Sequence, residues 1–319
     1  MSLYSTVVPE NVPATPSPDS PARRPSRLRR WTFRTLRVLV LVYLGLCLLL
    51  WLFQGVLMFP GAYVHSKEAG RVAPAPDREL LDLHTPDGKH VAALFGEALN
   101  PDGSPVNDPS TCPTILYLYG NGDCIATSLR QFHDFRRLGA NVLIPEYIGY
   151  PLSGGHPSEK NLYATADSAY AYLMSRNDID HNQSVVVGRS IGGGPAIDLA
   201  SREPVAGLAT FSAFTSMDEM ARKMMPLFPT GLFLNQHFNN LQKIASVKCP
   251  MFLAHGTRDD FVPFAMMARL AARAKQPVTT YQIVGATHND IFPVGGEDLL
   301  ENFGQFLRSV HAAHRASMR

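Results

Sequence analysis

The sequence predicts an α/β fold: a mostly parallel central sheet flanked by helices. Apolar runs of strand character alternate with helix-like segments from residue 80 onward, which is the pattern of βαβ units with right-handed crossovers. A Gly188-Arg189-Ser190-Ile191-Gly192 turn lies between one such strand and a small-residue helix. Two later strand-like runs each end in a loop carrying an acid or a histidine. Ligands of such sheets bind at the carboxyl ends of the strands, so these three pieces can converge.

In chain order, residues 1–36 read as a disordered basic tail rich in Pro, Ser and Arg. Seven arginines crowd positions 23–37. Residues 37–59 read as a transmembrane helix. Positions 38–59 are uncharged, and as a helix they would span ~33 Å against a hydrocarbon core of ~30 Å. A cleaved signal peptide is the competing reading, but the run exceeds the usual apolar h-region and no A-x-A site follows. The arginines predict a cytoplasmic N-terminus, with the following domain on the other side of the membrane, periplasmic, extracellular or lumenal. Residues 60–76 read as a linker, and 77–319 as one globular domain.

Within that domain, Leu80–His84 and His90–Phe95 form a hairpin around Pro86-Asp87-Gly88. Strands follow at 114–118, 141–145, 184–187, 207–211, 251–254 and 280–284, with helices at 126–138, 158–175 and from 193. Residues 216–247 interrupt the alternation between two core strands with a run rich in Met, Leu and Phe. This insertion reads as a short lid lining an acyl pocket, as ordinary packing on the sheet, or as a membrane contact.

The chemistry follows from the turn at 188–192. A strand–turn–helix Gly-x-Ser-x-Gly is a nucleophile elbow, which lifts the Ser190 hydroxyl above the sheet between Gly188 and Gly192. A serine needs a base to take its proton, and the base needs a carboxylate to orient it. Asp259, in His255-Gly256-Thr257-Arg258-Asp259, and His288, in Gly285-Ala286-Thr287-His288-Asn289-Asp290, supply them in the order Ser, Asp, His. Asp260 and Asp218 are the alternative acids. His255 reads as a structural hydrogen-bonder, His156 as a residue bordering the pocket, and Asp290 as a helix cap or turn residue. The Ile191 backbone N–H, next after the nucleophile, is one oxyanion donor.

These motifs resemble the α/β-hydrolase superfamily, and within it the branch of membrane-anchored hydrolases that includes acyl-protein thioesterases and serine-aminopeptidase-like domains. The likeness covers roughly residues 77 to 310. It includes Glu146-Tyr147-Ile148-Gly149-Tyr150, Ser153-Gly154 and Pro157-Ser158-Glu159. Ile148 and Pro151 replace the Arg and Gly usual there, and Tyr119 stands where the branch has His before Gly-Asn. The resemblance implies an α/β-hydrolase fold and a second oxyanion donor in the backbone N–H of Asn121, with Tyr119 as either a spacer or a pocket wall.

The formal net charge of +2 gives no footprint for nucleic acid. Four cysteines are too few for a disulfide scaffold, although Cys112 and Cys124 are a candidate pair. No Cys/His spacing suggests a metal, and no glycine loop suggests a nucleotide cofactor. The sequence therefore predicts a membrane-anchored serine hydrolase, free of cofactors, that acts on an acyl ester or thioester, a lipid among the candidates. The alternatives are a serine peptidase of the aminopeptidase type and an inactive hydrolase-fold binding protein.

Overall fold

The computed structural model describes residues 27–73 and 75–317. It divides into two compact units, Met1–Leu49 and Leu50–Arg319. Helix α1 (Arg27–Met58) crosses the division. Its portion in the first unit is a single helix with exposed apolar side chains, Leu39, Val42 and Leu48 among them. The most apolar 18 residues of α1 have a mean hydropathy of 2.5.

The helix starts earlier than the sequence reading placed it. Residues 27–36, assigned to the tail, are helical, while residues 1–26 of that tail lie outside the described residues. The reason is local. Arg and Leu are good helix formers, and no Pro or Gly occurs between Arg27 and Leu44 to stop the helix.

The second unit holds an eight-stranded sheet in the order β1-β2-β4-β3-β5-β6-β7-β8. The strands are β1 (Glu79–His84), β2 (His90–Gly96), β3 (Thr114–Leu118), β4 (Asn141–Pro145), β5 (Ser184–Arg189), β6 (Gly207–Phe211), β7 (Met251–Gly256) and β8 (Val278–Ile283). Strand β2 runs antiparallel to β1 and β4, and the remaining pairs are parallel. Strands β3 to β6 are buried almost throughout, which explains why they read as continuous apolar runs instead of alternating ones.

Two one-turn helices follow α1, namely α2 (Gly61–Val64) and α3 (Lys67–Gly70). The longer crossover helices are α4 (Leu129–Arg136), α5 (Glu159–Ser175), α6 (Gly193–Arg202) and α7 (Met217–Met224). After them come α8 (Asn240–Lys243), α9 (Ala265–Arg273) and α10 (Ile291–Ser317), the last broken at Gly296. From β3 the chain steps to β4 on one side, then back across to β5, β6, β7 and β8. Right-handed crossovers in opposite directions put α4 on one face of the sheet and α5, α6 and α9 on the other. Helix α10 joins α4, with the Phe135 and Phe303 rings 5.3 Å apart and the Phe211 and Phe303 rings 5.5 Å apart. The reversal of direction falls between β3 and β5, where an open sheet of this kind leaves its crevice.

Two further expectations change. The start of the segment read as a linker, 60–76, is bonded to the domain: the Gly61 N–H donates to the Asn121 carbonyl at 2.8 Å, and His65 Nε2 lies 2.8 Å from the Gly122 carbonyl. A Cβ on Gly61 would run into the Asn121 carbonyl and the Tyr150 ring, so only glycine allows this close approach. Cys112 and Cys124 are both free thiols.

Candidate active site

Strand β5 ends at Arg189, and the chain turns at once into a 3-10 turn, Ser190–Gly192, that opens α6. Ser190 has φ of 51°, a left-handed conformation that costs a non-glycine residue of order 1–3 kcal/mol. The flanking glycines make this turn possible. A Cβ on Gly188 would strike the Gly192 carbonyl, and one on Gly192 would strike the Leu118 carbonyl at the end of β3. Gly192→Ala is therefore expected to lower stability by at least ~1–3 kcal/mol, the usual penalty of overpacking. Denaturant unfolding of the full-length protein measures it.

Asp259 follows β7 and His288 follows β8, and the fold brings both to Ser190. Ser190 Oγ lies 2.8 Å from His288 Nε2, and His288 Nδ1 lies 2.8 Å from Asp259 Oδ2. All three residues are buried, at 4%, 7% and 7% exposure for Ser190, His288 and Asp259. The Asp259 Oδ1 atom accepts the backbone N–H groups of Phe261 at 3.1 Å and Val262 at 2.7 Å. Its Oδ2 also faces His255 Nε2 at 3.2 Å, and that ring nitrogen lies 3.0 Å from the Val262 carbonyl. Burial pushes the Asp259 carboxyl up, but its hydrogen bonds to His255, His288 and Val262 outweigh burial and hold it well below the usual carboxylate range.

An ionised Asp259 can only accept, so the His288 Nδ1 carries the proton. The lone pair of Nε2 is then left facing the Ser190 hydroxyl.

The other acids stand elsewhere. Asp218, on α7, pairs with His237 at 2.9 Å. Asp260 is exposed. Asp290 accepts the Thr287 N–H at 2.6 Å just before α10, as a turn residue. His156 is exposed on its loop, with its carbonyl taken by Asn161 Nδ2 at 2.7 Å.

Asn121 and Ile191 both border the space in front of Ser190. Ile191 lies in the opening turn of a helix, where backbone N–H groups have no intrahelical acceptor. The peptide of Asn121 is held from several sides. Its carbonyl accepts the Gly61 N–H at 2.8 Å and the Tyr150 hydroxyl at 2.9 Å, and its Nδ2 donates to the Met58 carbonyl at 3.2 Å. Tyr119 is fully buried under this loop. Its ring packs 4.5 Å from Tyr147, and its carbonyl accepts the Tyr147 hydroxyl at 2.8 Å. Tyr119 is thus a spacer beneath the loop and not a pocket wall. Ile148, in place of the usual Arg, is also buried and donates its N–H to Thr165 Oγ1 at 3.1 Å.

Glu146 braces the same loop, its Oε2 accepting the Ile125 N–H at 2.8 Å. Burial pushes the Glu146 carboxyl up to about 7, and the Ile125 bond offsets only part of this. A carboxylate whose folded pKa lies above its unfolded ~4.3 stabilises least when ionised, so stability falls as pH rises from ~4.3 to ~7, by of order 3 kcal/mol. Glu146→Gln removes the charge, and its Tm is expected to be flat across that window where the wild type declines. Thermal unfolding from pH 5 to 8 checks this.

Ser190 stands between two clefts. One is walled almost wholly by apolar side chains, among them Met217, Met220 and Met224 of α7 and Trp51 and Leu57 of α1. The other is polar and includes Asp123, Arg130, Arg189 and His288. The segment read as a lid splits in two. Its first half lines the apolar cleft, whereas Phe238 is buried against Gly194 and against Phe214, with the two rings 6.1 Å apart.

The sequence reading missed the second partner of Asp259, His255, and the bond from Tyr150 to Asn121. It also missed Gln54, the one amide in the apolar run. Gln54 Nε2 donates to the Phe233 carbonyl at 3.2 Å, and Gln54 Oε1 accepts the Asn235 N–H at 3.0 Å. A lone polar residue near the end of an apolar helix was the available signal for it.

No family model matches the chain. It is 34% identical over 239 residues to α/β hydrolase domain-containing protein 17B of Xenopus laevis, covering 73% of each protein. It is 29% identical over 270 residues to an uncharacterized protein of Mycobacterium tuberculosis, covering 85% of this chain and 92% of that one. Among solved structures, the Pyrococcus furiosus esterase Pf2001 superposes with a TM-score of 0.61 at 18% identity, over 75% of this chain and 96% of the esterase. The sheet order, the elbow after β5 and the relationship to the 17B protein have one reading: this chain belongs to the α/β-hydrolase family.

Proposed function

We propose that this protein is a membrane-anchored serine hydrolase that cleaves carboxylic ester or thioester bonds through an acyl-enzyme. The observation that carries the reading is the unbroken line of hydrogen bonds from Ser190 Oγ through His288 to Asp259, each 2.8 Å. Membership of a hydrolase family supports it.

In this scheme the substrate carbonyl sits in front of Ser190 with its acyl part toward the apolar cleft. His288 Nε2 takes the hydroxyl proton as Oγ attacks. Asp259, held ionised, stabilises the imidazolium that forms and keeps the ring in one tautomer. The backbone N–H groups of Ile191 and Asn121 receive the developing oxyanion, and losing one such donor costs ~10²–10³ in rate. His288 then passes its proton to the leaving alcohol or thiol on the polar side. A water enters, His288 takes its proton, and the acyl group leaves as a carboxylic acid while Ser190 recovers its hydrogen.

The anchor lies in α1 (Arg27–Met58), a 32-residue helix long and apolar enough to span a bilayer. The arginines before it favour a cytoplasmic N-terminus, with the hydrolase unit on the opposite side.

Full-length protein in detergent is expected to release p-nitrophenol from p-nitrophenyl butyrate and to leave aminoacyl p-nitroanilides intact. Turnover of the anilides alone would replace this reading with the peptidase one, and no turnover of either would favour a binding protein.

A further inference from the structure

The parallel ladder between β3 and β5 ends where Leu118 lies level with Gly188. Beyond it the two chains part. One turns through Ser190 into α6, and the other becomes the loop Tyr119-Gly120-Asn121-Gly122-Asp123. Arg189 stands between them. Its backbone belongs to β5 and is held in the sheet level with Phe211 of β6. Its guanidinium reaches across to the loop, with Nη1 2.5 Å from Asp123 Oδ2. Its Nη2 lies 3.5 Å from the His288 carbonyl. From the position next to Ser190, one side chain thus meets both the loop that carries Asn121 and the backbone of His288.

The pair is sheltered. The side chains of Arg189 and Asp123 are 15% and 27% exposed, so salt and water screen their attraction less than on an open surface. Glycine keeps the space for it: a Cβ on Gly120 would come within 3.1 Å of Asp123 Oδ2 and 3.2 Å of Arg189 Nη1. Arg189 Nε is buried with no hydrogen-bond partner among the described residues. A buried donor left unpaired is a cost, and the orientation that incurs it is the one that turns the two terminal nitrogens toward the two loops. The rigid fork of a guanidinium suits that double reach better than the point charge of a lysine.

We infer that Arg189 is a positioning residue: through Asp123 it fixes the Asn121 N–H relative to the Ser190 hydroxyl. This rests on the hydrolase reading above and adds how its oxyanion site is held. An oxyanion donor helps only when it stands where the charge develops. Asn121 is bonded by Met58, Gly61 and Tyr150, and the Asp123 N–H closes the loop onto the Gly120 carbonyl at 3.0 Å. The Arg189–Asp123 pair adds the tie to the strand that carries the nucleophile. Without it the loop keeps its place on the domain but loses its reference to the elbow.

The test uses the full chain in detergent with p-nitrophenyl butyrate. Arg189→Met is expected to lower kcat at least ~10-fold, against a ceiling of ~10²–10³ for losing a donor outright. KM is expected to move less than ~3-fold, since the lost interaction belongs to the transition state. Arg189→Lys restores the charge without the fork and is expected to fall between wild type and Arg189→Met. Asp123→Asn breaks the same pair from the loop side, and it stands in if Arg189→Met does not fold. The double variant is expected to be no slower than the slower single one, because both changes cut one link. The rate of fluorophosphonate labelling at Ser190 is expected to fall with kcat, because the phosphonyl oxygen draws on the same donors.

Thermal unfolding identifies the variants that are folded. A kcat within ~3-fold of wild type in a folded variant, a raised KM at unchanged kcat, or losses that multiply in the double variant overturns the inference and leaves the hydrolase reading standing. Absence of any Ser190-dependent turnover in the wild type overturns both.

Discussion

Ser190→Ala is expected to lose at least ~10⁴-fold in kcat on any ester the wild type cleaves, with little change in fold. In the proposed mechanism this hydroxyl, 2.8 Å from His288 Nε2, is the atom that attacks, and the rest of the hydrogen-bond line cannot act without it. In serine hydrolases, losing the nucleophile costs about as much as losing the whole triad, on the order of 10⁶. The variant relieves a little steric demand but keeps the left-handed backbone, so its Tm should stay within a few degrees. Steady-state kinetics beside thermal unfolding separate the two effects. A residual rate within tenfold of wild type would assign the chemistry to another group.

Asp259→Asn is the second large effect, with an expected loss of ~10³–10⁴ in kcat. The argument is one of tautomers. Oδ2 of Asp259 faces two ring nitrogens, His288 Nδ1 at 2.8 Å and His255 Nε2 at 3.2 Å. Oδ1 is committed to the N–H groups of Phe261 and Val262. An asparagine therefore keeps its carbonyl at Oδ1 and turns its NH₂ toward the histidines. His288 must then accept at Nδ1 and carry its proton on Nε2, pointing at the Ser190 hydroxyl, where it can no longer act as a base.

Stability should change with a defined sign. The folded carboxyl sits below its usual range, so its contribution is present above ~pH 4 and is lost as pH falls through the depressed value. The gap in Tm between wild type and Asp259→Asn is thus largest near neutrality and narrows below ~pH 4. A variant losing less than tenfold in kcat would point to a different acid. Asp218, engaged with His237, is the next to test.

The parts of this molecule that the sequence makes legible are those governed by local rules. Strand β5 announces itself as Ser184-Val185-Val186-Val187, and the turn after it as three residues between glycines, because nothing else tolerates that geometry. Ser158 was a visible start for α5, and its side chain does accept the Asn161 N–H at 3.1 Å.

What stayed hidden depends on contacts across long separations. Nothing near Gly61 in sequence says that its N–H meets Asn121, so segment 60–76 read as a linker. Trp51 and Leu57 carry the same apolar character whether they face lipid or a cleft. Their place in the lining of the cleft at Ser190 appears only in the folded unit. Tyr119 was ambiguous for a related reason: an aromatic next to a loop glycine can point into the pocket or beneath it, and the Tyr147 and Tyr150 rings decide for the latter.

The most direct measurement is covalent labelling. Full-length protein treated with a fluorophosphonate and mapped by peptide mass spectrometry should carry one adduct, on Ser190, and labelling should collapse in His288→Ala. An adduct on a different serine, or labelling of Ser190 that is indifferent to the loss of His288, would contradict the account.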